Sequence, residues 1–109
     1  MKRNEPTTHC ECCDDKILLS QEFVHNKRSY CLDCGWIITL DLHGAIKWRK
    51  EKPTEPGVGY IKLQTGEIKM VDWSGDVFWY VVDGHHFSMK FDNPNVVGWV
   101  QNDDIPVVI

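Results

Sequence analysis

Past Cys34 the sequence contains no cysteine, and nowhere in its 109 residues is there an apolar run of membrane-spanning length. The first absence confines metal or disulfide chemistry to the N-terminal third. The second excludes a membrane-spanning helix. No apolar core follows Met1-Lys2-Arg3, so no secretion signal is read there. The expected location is therefore the reducing cytoplasm, where paired cysteines favour metal over disulfide. Basic residues are scarce in one half: residues 58–109 hold three Lys/Arg against seven Asp/Glu, while residues 1–57 hold nine of each. The acidic half lacks the clustered Lys/Arg that a phosphate backbone requires. Gly-rich phosphate loops, paired-carboxylate motifs and nucleophile–base pairs are also missing, and the sequence predicts a protein that is not an enzyme.

What remains is a globular composition, 42% hydrophobic and 26% charged. The chain is long enough for one compact domain or two very small ones. A half of about fifty residues is marginal alone and usually needs a staple. The best boundary is the chain-breaking stretch Pro53-Thr54-Glu55-Pro56-Gly57. It separates a cysteine-bearing module at 1–52 from a β-sheet module at 58–109, with 53–57 as linker. The two modules either stay separate or pack as one domain.

All five cysteines lie in two clusters, His9-Cys10-Glu11-Cys12-Cys13 and Cys31-Leu32-Asp33-Cys34. Cys10, Cys13, Cys31 and Cys34 read C-x2-C-x17-C-x2-C, the spacing at which two tight turns aim four thiolates at one ion. Cys12 adjoins Cys13, and neighbouring residues rarely place both sulfurs on one ion. His9 would give a longer pair spacing than the matching second cluster. Four thiolates complete a tetrahedron and leave no open position for substrate, so one structural zinc ion is the expected cofactor. Cys12 is then a bystander thiol, or a redox-active one beside the metal, and His9 is a surface residue.

Between the clusters, an apolar run from Ile17 to Val24, a polar turn at His25-Asn26-Lys27-Arg28 and a return through Ser29-Tyr30 describe a β-hairpin. Ile17, Phe23 and Tyr30 are placed to cover the metal. With Ile17 four residues after Cys13 and Tyr30 just before the second pair, residues 10–44 resemble a treble-clef zinc finger of the DksA/TraR or LIM-like type. The long helical hairpin through which DksA/TraR proteins act on RNA polymerase has no counterpart here. The resemblance therefore implies only metal binding by Cys10, Cys13, Cys31 and Cys34. It also implies a helix from Leu32 to about His43, with Gly44 as its stop. A zinc ribbon is the alternative, since Trp36–Leu42 is β-rich and His43-Gly44 is able to turn it into Ala45–Trp48.

The C-terminal half reads as an antiparallel β-meander of four to five strands, at 59–64, 67–73, 77–82, 85–91 and 96–100, so the fold class is α+β. Asp83-Gly84 is a two-residue hairpin turn. It sets Val82 opposite His85, Tyr80 opposite Phe87 and Phe78 opposite Met89. One face is core, built from Phe78, Tyr80, Val82, Phe87, Met89 and Phe91. The other carries Val77, Trp79 and Val81 beside His86, Ser88 and Lys90. That face is either covered by the helix with Trp36 or Trp48, or left with Trp79 exposed as a partner site. His85 and His86 point to opposite faces and cannot share an ion. The meander ending on Val97-Gly98-Trp99, with Pro106 soon after, resembles small uncharacterised proteins of tailed phages and prophages, which implies a small protein that binds one host protein.

These features point to a zinc-stabilised interaction module for a protein partner, of a phage-type regulator or inhibitor kind, with Trp79, His86, Lys47 and Arg49 as candidate contacts. The alternative is nucleic-acid binding through the basic stretch Lys47-Trp48-Arg49-Lys50-Glu51-Lys52, with Lys27 and Arg28. No small-molecule substrate and no membrane are indicated.

Overall fold

The computed structural model describes residues 6–106. The chain begins with a short antiparallel pair, β1 (Thr7–His9) and β2 (Lys16–Leu18), around the first cysteine turn. A single 3-10 turn at Leu19–Gln21 leads to the hairpin β3 (Phe23–His25) and β4 (Arg28–Tyr30). Asn26 and Lys27 form its turn at φ 51° and 62°, the left-handed pair that matches strand twist in two-residue hairpins. Phe23 and Tyr30 face each other across it. Both pack in the cluster around the cysteines, whereas Ile17 lies apart in β2, opposite Thr8.

The one α-helix among the described residues, α1, spans Leu32–Leu42. Cys31 caps it, its sulfur accepting from the Cys34 N–H, and Asp33 sits favourably in the first turn. It ends where Gly44, at φ +71°, lets Ala45 donate to the Leu40 carbonyl and Gly44 to that of Asp41. The β-rich alternative for Trp36–Leu42 does not form. Cys34, Ile37, Ile38 and Leu40 give the helix one buried stripe. Gly35 is required there, because a Cβ would meet the Phe23 ring at 2.5 Å.

The second half is a five-stranded antiparallel sheet of β5 (Gly57–Leu63), β6 (Ile68–Trp73), β7 (Val77–Val82), β8 (His85–Lys90) and β9 (Val96–Gln101). The first four strands form a meander. The fifth crosses back to pair with β5, giving the order β8-β7-β6-β5-β9. The Asp83-Gly84 turn and the three expected cross-strand pairs are present. Arg49 adds an isolated bridge outside β9, exchanging two 2.8 Å backbone hydrogen bonds with Trp99.

Each face of the sheet has its own core. Tyr60, Ile68 and Val100 pack with α1, Ile46, Tyr30 and the buried cysteines. Ile61, Val71, Trp73, Phe78 and Trp99 fill the opposite face, with Tyr80, Met89 and Phe91 at its border. Phe87 was expected in that core and is instead 45% exposed, on β8, which among the described residues is an edge strand with no further strand beside it. Trp36 and Trp48 do not cover Trp79. Trp36 is itself exposed, and Trp48 packs on the cysteine-side core with its indole donating to Asp41 at 2.7 Å.

Candidate metal centre

Two turns bring four sulfurs together. The first, Cys10–Asp14, is closed by the Asp14 N–H on the Cys10 carbonyl at 2.9 Å. The Cys12 and Cys13 amides point at the Cys10 sulfur at 3.4 and 3.5 Å. The second turn is the first turn of α1, where the Cys34 amide points at the Cys31 sulfur at 3.4 Å. Amides aimed at sulfur stabilise thiolate, the form that ligates metal. The sulfurs of Cys10, Cys13, Cys31 and Cys34 all lie within 4.8 Å of one another, and those of Cys13 and Cys31 are 3.7 Å apart. A metal–sulfur bond of about 2.3 Å in a tetrahedral thiolate site gives a sulfur–sulfur edge of roughly 3.8 Å, so the cluster suits such an ion.

The electrostatics agree. The thiols of Cys13 and Cys34 donate to Cys10 and hold it far below the usual thiol range. Cys13 is pushed up chiefly by its hydrogen bond with Cys10, and Cys34 by its contacts with Cys10, then Cys12 and Cys13. Four crowded sulfurs cannot all ionise without a compensating cation. A bound divalent ion takes the place of the retained protons, so binding releases them. Burial first, then the electrostatics of the neighbouring cysteine cluster, drives the Tyr60 phenol up as well, leaving it neutral against the sulfurs.

Cys12 stands outside the four-sulfur group and is buried. It is 1% exposed and lies in the core between the cysteines and the sheet. His9 is exposed, and among the described residues no other group of His, Cys, Asp or Glu gathers as a metal site.

The first turn also completes the sheet, which the sequence did not reveal. β6 and β7 pair only at Asp72–Trp79 and Trp73–Phe78, then diverge. The cysteine turn occupies the gap. Met70 donates its N–H to the Cys12 carbonyl at 3.1 Å. The Lys69 ammonium, on a residue 7% exposed, reaches the Glu11 carbonyl at 2.6 Å. On the other side the Asp14 carboxylate receives the Asp83 and Gly84 amides, each at 2.9 Å. The only local sign is Asp after the cysteine pair, a residue that tolerates the φ of 65° found there.

The remaining candidates are scattered. Trp79 is 44% exposed, its indole donating to Ser74 at 2.8 Å. His86 is exposed on the adjacent edge strand, and Lys47 and Arg49 are exposed beyond the opposite edge. The structure does not bring Trp79 and His86 together with Lys47 and Arg49. Two cations of the basic stretch are matched by acids: Arg49 pairs with Asp104 at 3.2 Å and Lys52 with Asp76 at 2.8 Å. Arg28, on the hairpin, pairs with Glu67 at 3.3 Å. An open groove of about 460 Å³ beside Lys47 and Arg49 is lined equally by Asp103 and Asp104.

Comparison with known proteins gives no match among family models, curated proteins or solved structures. No helix among the described residues is long and apolar enough to cross a membrane.

Proposed function

We propose that this protein is a non-enzymatic, zinc-stabilised module that binds a protein partner in the cytoplasm. The observation that carries the reading is the closed set of four sulfurs at the joint between the helix and the sheet. Four thiolates fill a zinc ion's coordination and serve structure rather than catalysis. Borderline-soft zinc suits an all-sulfur tetrahedron. A cysteine turn, a hairpin and a helix that opens on the second pair support a treble-clef type for residues 10–44. The two halves act as one unit in this reading, since the cysteine turn bonds directly to β6 and to the β7–β8 turn, on either side of the gap it fills. The exposed Trp79 and the uncovered strand beside it support a protein partner. A regulator or inhibitor of host machinery, of the kind small phage proteins supply, is the role we assign to that binding.

The nucleic-acid alternative has less support, because Arg49 and Lys52 are already held by Asp104 and Asp76. The test has two parts. Elemental analysis of the purified protein should return one zinc per chain, lost on Cys31→Ser. Capture with the zinc-loaded chain should return a specific protein that survives nuclease. Absence of zinc, or binding that disappears with nuclease and with salt, overturns the reading.

A further inference from the structure

The two edges of the sheet are treated differently. Outside β9, Arg49 exchanges backbone hydrogen bonds with Trp99, and Gly98 allows the close approach, since a Cβ there would meet that of Trp48 at 2.7 Å. Outside β8 there is no strand or bridge among the described residues. β8 pairs with β7 at six consecutive positions from the Asp83-Gly84 turn outward. Residues flanking such a turn exchange both backbone bonds, and every second pair repeats this. His85, Phe87 and Met89 therefore direct their N–H and C=O groups to β7. His86 and Ser88 direct both groups outward, as does Lys90 its N–H. The Lys90 carbonyl receives the Asn93 amide at 3.1 Å.

The strand has no proline and no bulge, devices that usually blunt an edge, and only Lys90 at its end discourages pairing. Its faces differ in chemistry. His86, Ser88 and Lys90 are exposed on one, beside Trp79. Phe87 lies on the other, stacked on Tyr80 with ring centroids 5.7 Å apart. The strand holds one lysine, two imidazoles and no acid.

We propose that β8 receives an extended strand from another protein, in which acidic residues alternate with apolar ones. The acidic side chains lie over His86 and Lys90, the apolar ones over Phe87 and Met89, and the backbone bonds form at His86 and Ser88. A second copy of this chain fits less well. Antiparallel self-pairing centred on Ser88, the register in which outward groups meet outward groups, sets Lys90 against His86 twice, with no acid on either strand to compensate. The inference rests on the protein-binding reading and names the surface and the chemistry it recognises.

The zinc-loaded full chain is titrated with a short labelled peptide alternating glutamate and valine, and with its lysine–valine counterpart, by fluorescence anisotropy and amide NMR. Saturable binding of the glutamate peptide is expected, at least about tenfold tighter than the lysine peptide, with shifts centred on the His86 and Ser88 amides. Ser88→Pro removes an outward N–H and spares the bonds to β7, so it should abolish binding. The exposed double change His86→Glu with Lys90→Glu should invert the peptide preference without touching the fold. Failure of the glutamate peptide to bind, unchanged preference in the double variant, or shifts away from β8 overturns the proposal. Concentration-dependent dimerisation removed by Ser88→Pro assigns the edge to a second copy and also overturns it. A cellular protein captured equally by wild type and Ser88→Pro removes the edge while the protein-binding reading stands.

Discussion

The carbonyl oxygen of Cys12 accepts the backbone N–H of Met70 at 3.1 Å, so the turn that gathers the cysteines is also part of the sheet's hydrogen bonding. β6 loses β7 as a neighbour just there. Without the turn, the Met70 amide would be left without its partner. Metal binding and sheet formation are thus expected to be one equilibrium. Removing the ion with a strong chelator should unfold the helix and loosen β6 to β8 together. Circular dichroism and hydrogen exchange should report the same midpoint. The stabilisation lost is on the order of 10 kcal/mol. A sheet that keeps its exchange protection after the helix has melted would show that the halves fold separately.

Asp14 supplies the other side of the same joint. Its carboxylate holds the two amides of the Asp83-Gly84 turn from a distance of about seventy residues along the chain. Asp14→Ala should lower stability by about 1–2 kcal/mol, the range for a charged acceptor discounted for its exposure. The loss should appear chiefly as faster amide exchange at Asp83 and Gly84. Alanine is also disfavoured at φ 65°, so Asp14→Asn, which tolerates that conformation and keeps one acceptor, should lose less.

Local chemistry was legible in the sequence, and distant pairing was not. The C-x2-C spacings identified the four sulfurs that the structure gathers, because each pair lies within one turn. Gly44 announced the helix end and Asp83-Gly84 the β7–β8 register for the same reason: a left-handed residue fixes its neighbours. Nothing near β9 said that it returns to β5, since either neighbour satisfies an alternating strand. Pro53 read as part of a linker, yet it is buried, and β5 already begins at Gly57. Adjacency to Cys13 kept Cys12 out of the expected ligand set but said nothing about its burial. Its place was decided by residues some fifty positions away.

The contrast between Cys12 and its neighbours can be measured. Cys12→Ser should keep one metal per chain by elemental analysis. It should nevertheless lower stability by about 1–3 kcal/mol, because a hydroxyl replaces a thiol at a site 1% exposed. Cys34→Ser should lose stoichiometric metal and fail to fold. Retention of full metal by Cys34→Ser together with loss in Cys12→Ser would reassign the ligand set.

Asp41 offers a test of how the helix is held to the sheet. One carboxylate oxygen receives the Trp48 indole at 2.7 Å and the other the Lys62 ammonium at 2.8 Å. The Asp41 and Lys62 side chains are 14% and 29% exposed, so neither is fully rehydrated when the other is lost. Asp41→Ala therefore strands a partly buried cation and an indole donor, and should cost about 2–3 kcal/mol. Lys62→Met should cost less, because methionine keeps the packing of the stem and leaves Asp41 its bond to Trp48. Adding Lys62→Met to Asp41→Ala should recover part of the loss, since the second change removes the stranded charge. A double-mutant cycle by denaturant unfolding measures that coupling, and strict additivity would mean that the pair contributes nothing beyond its packing. The indole N–H resonance of Trp48 should shift in Asp41→Ala and stay in place in Lys62→Met, which separates the two bonds made by one carboxylate.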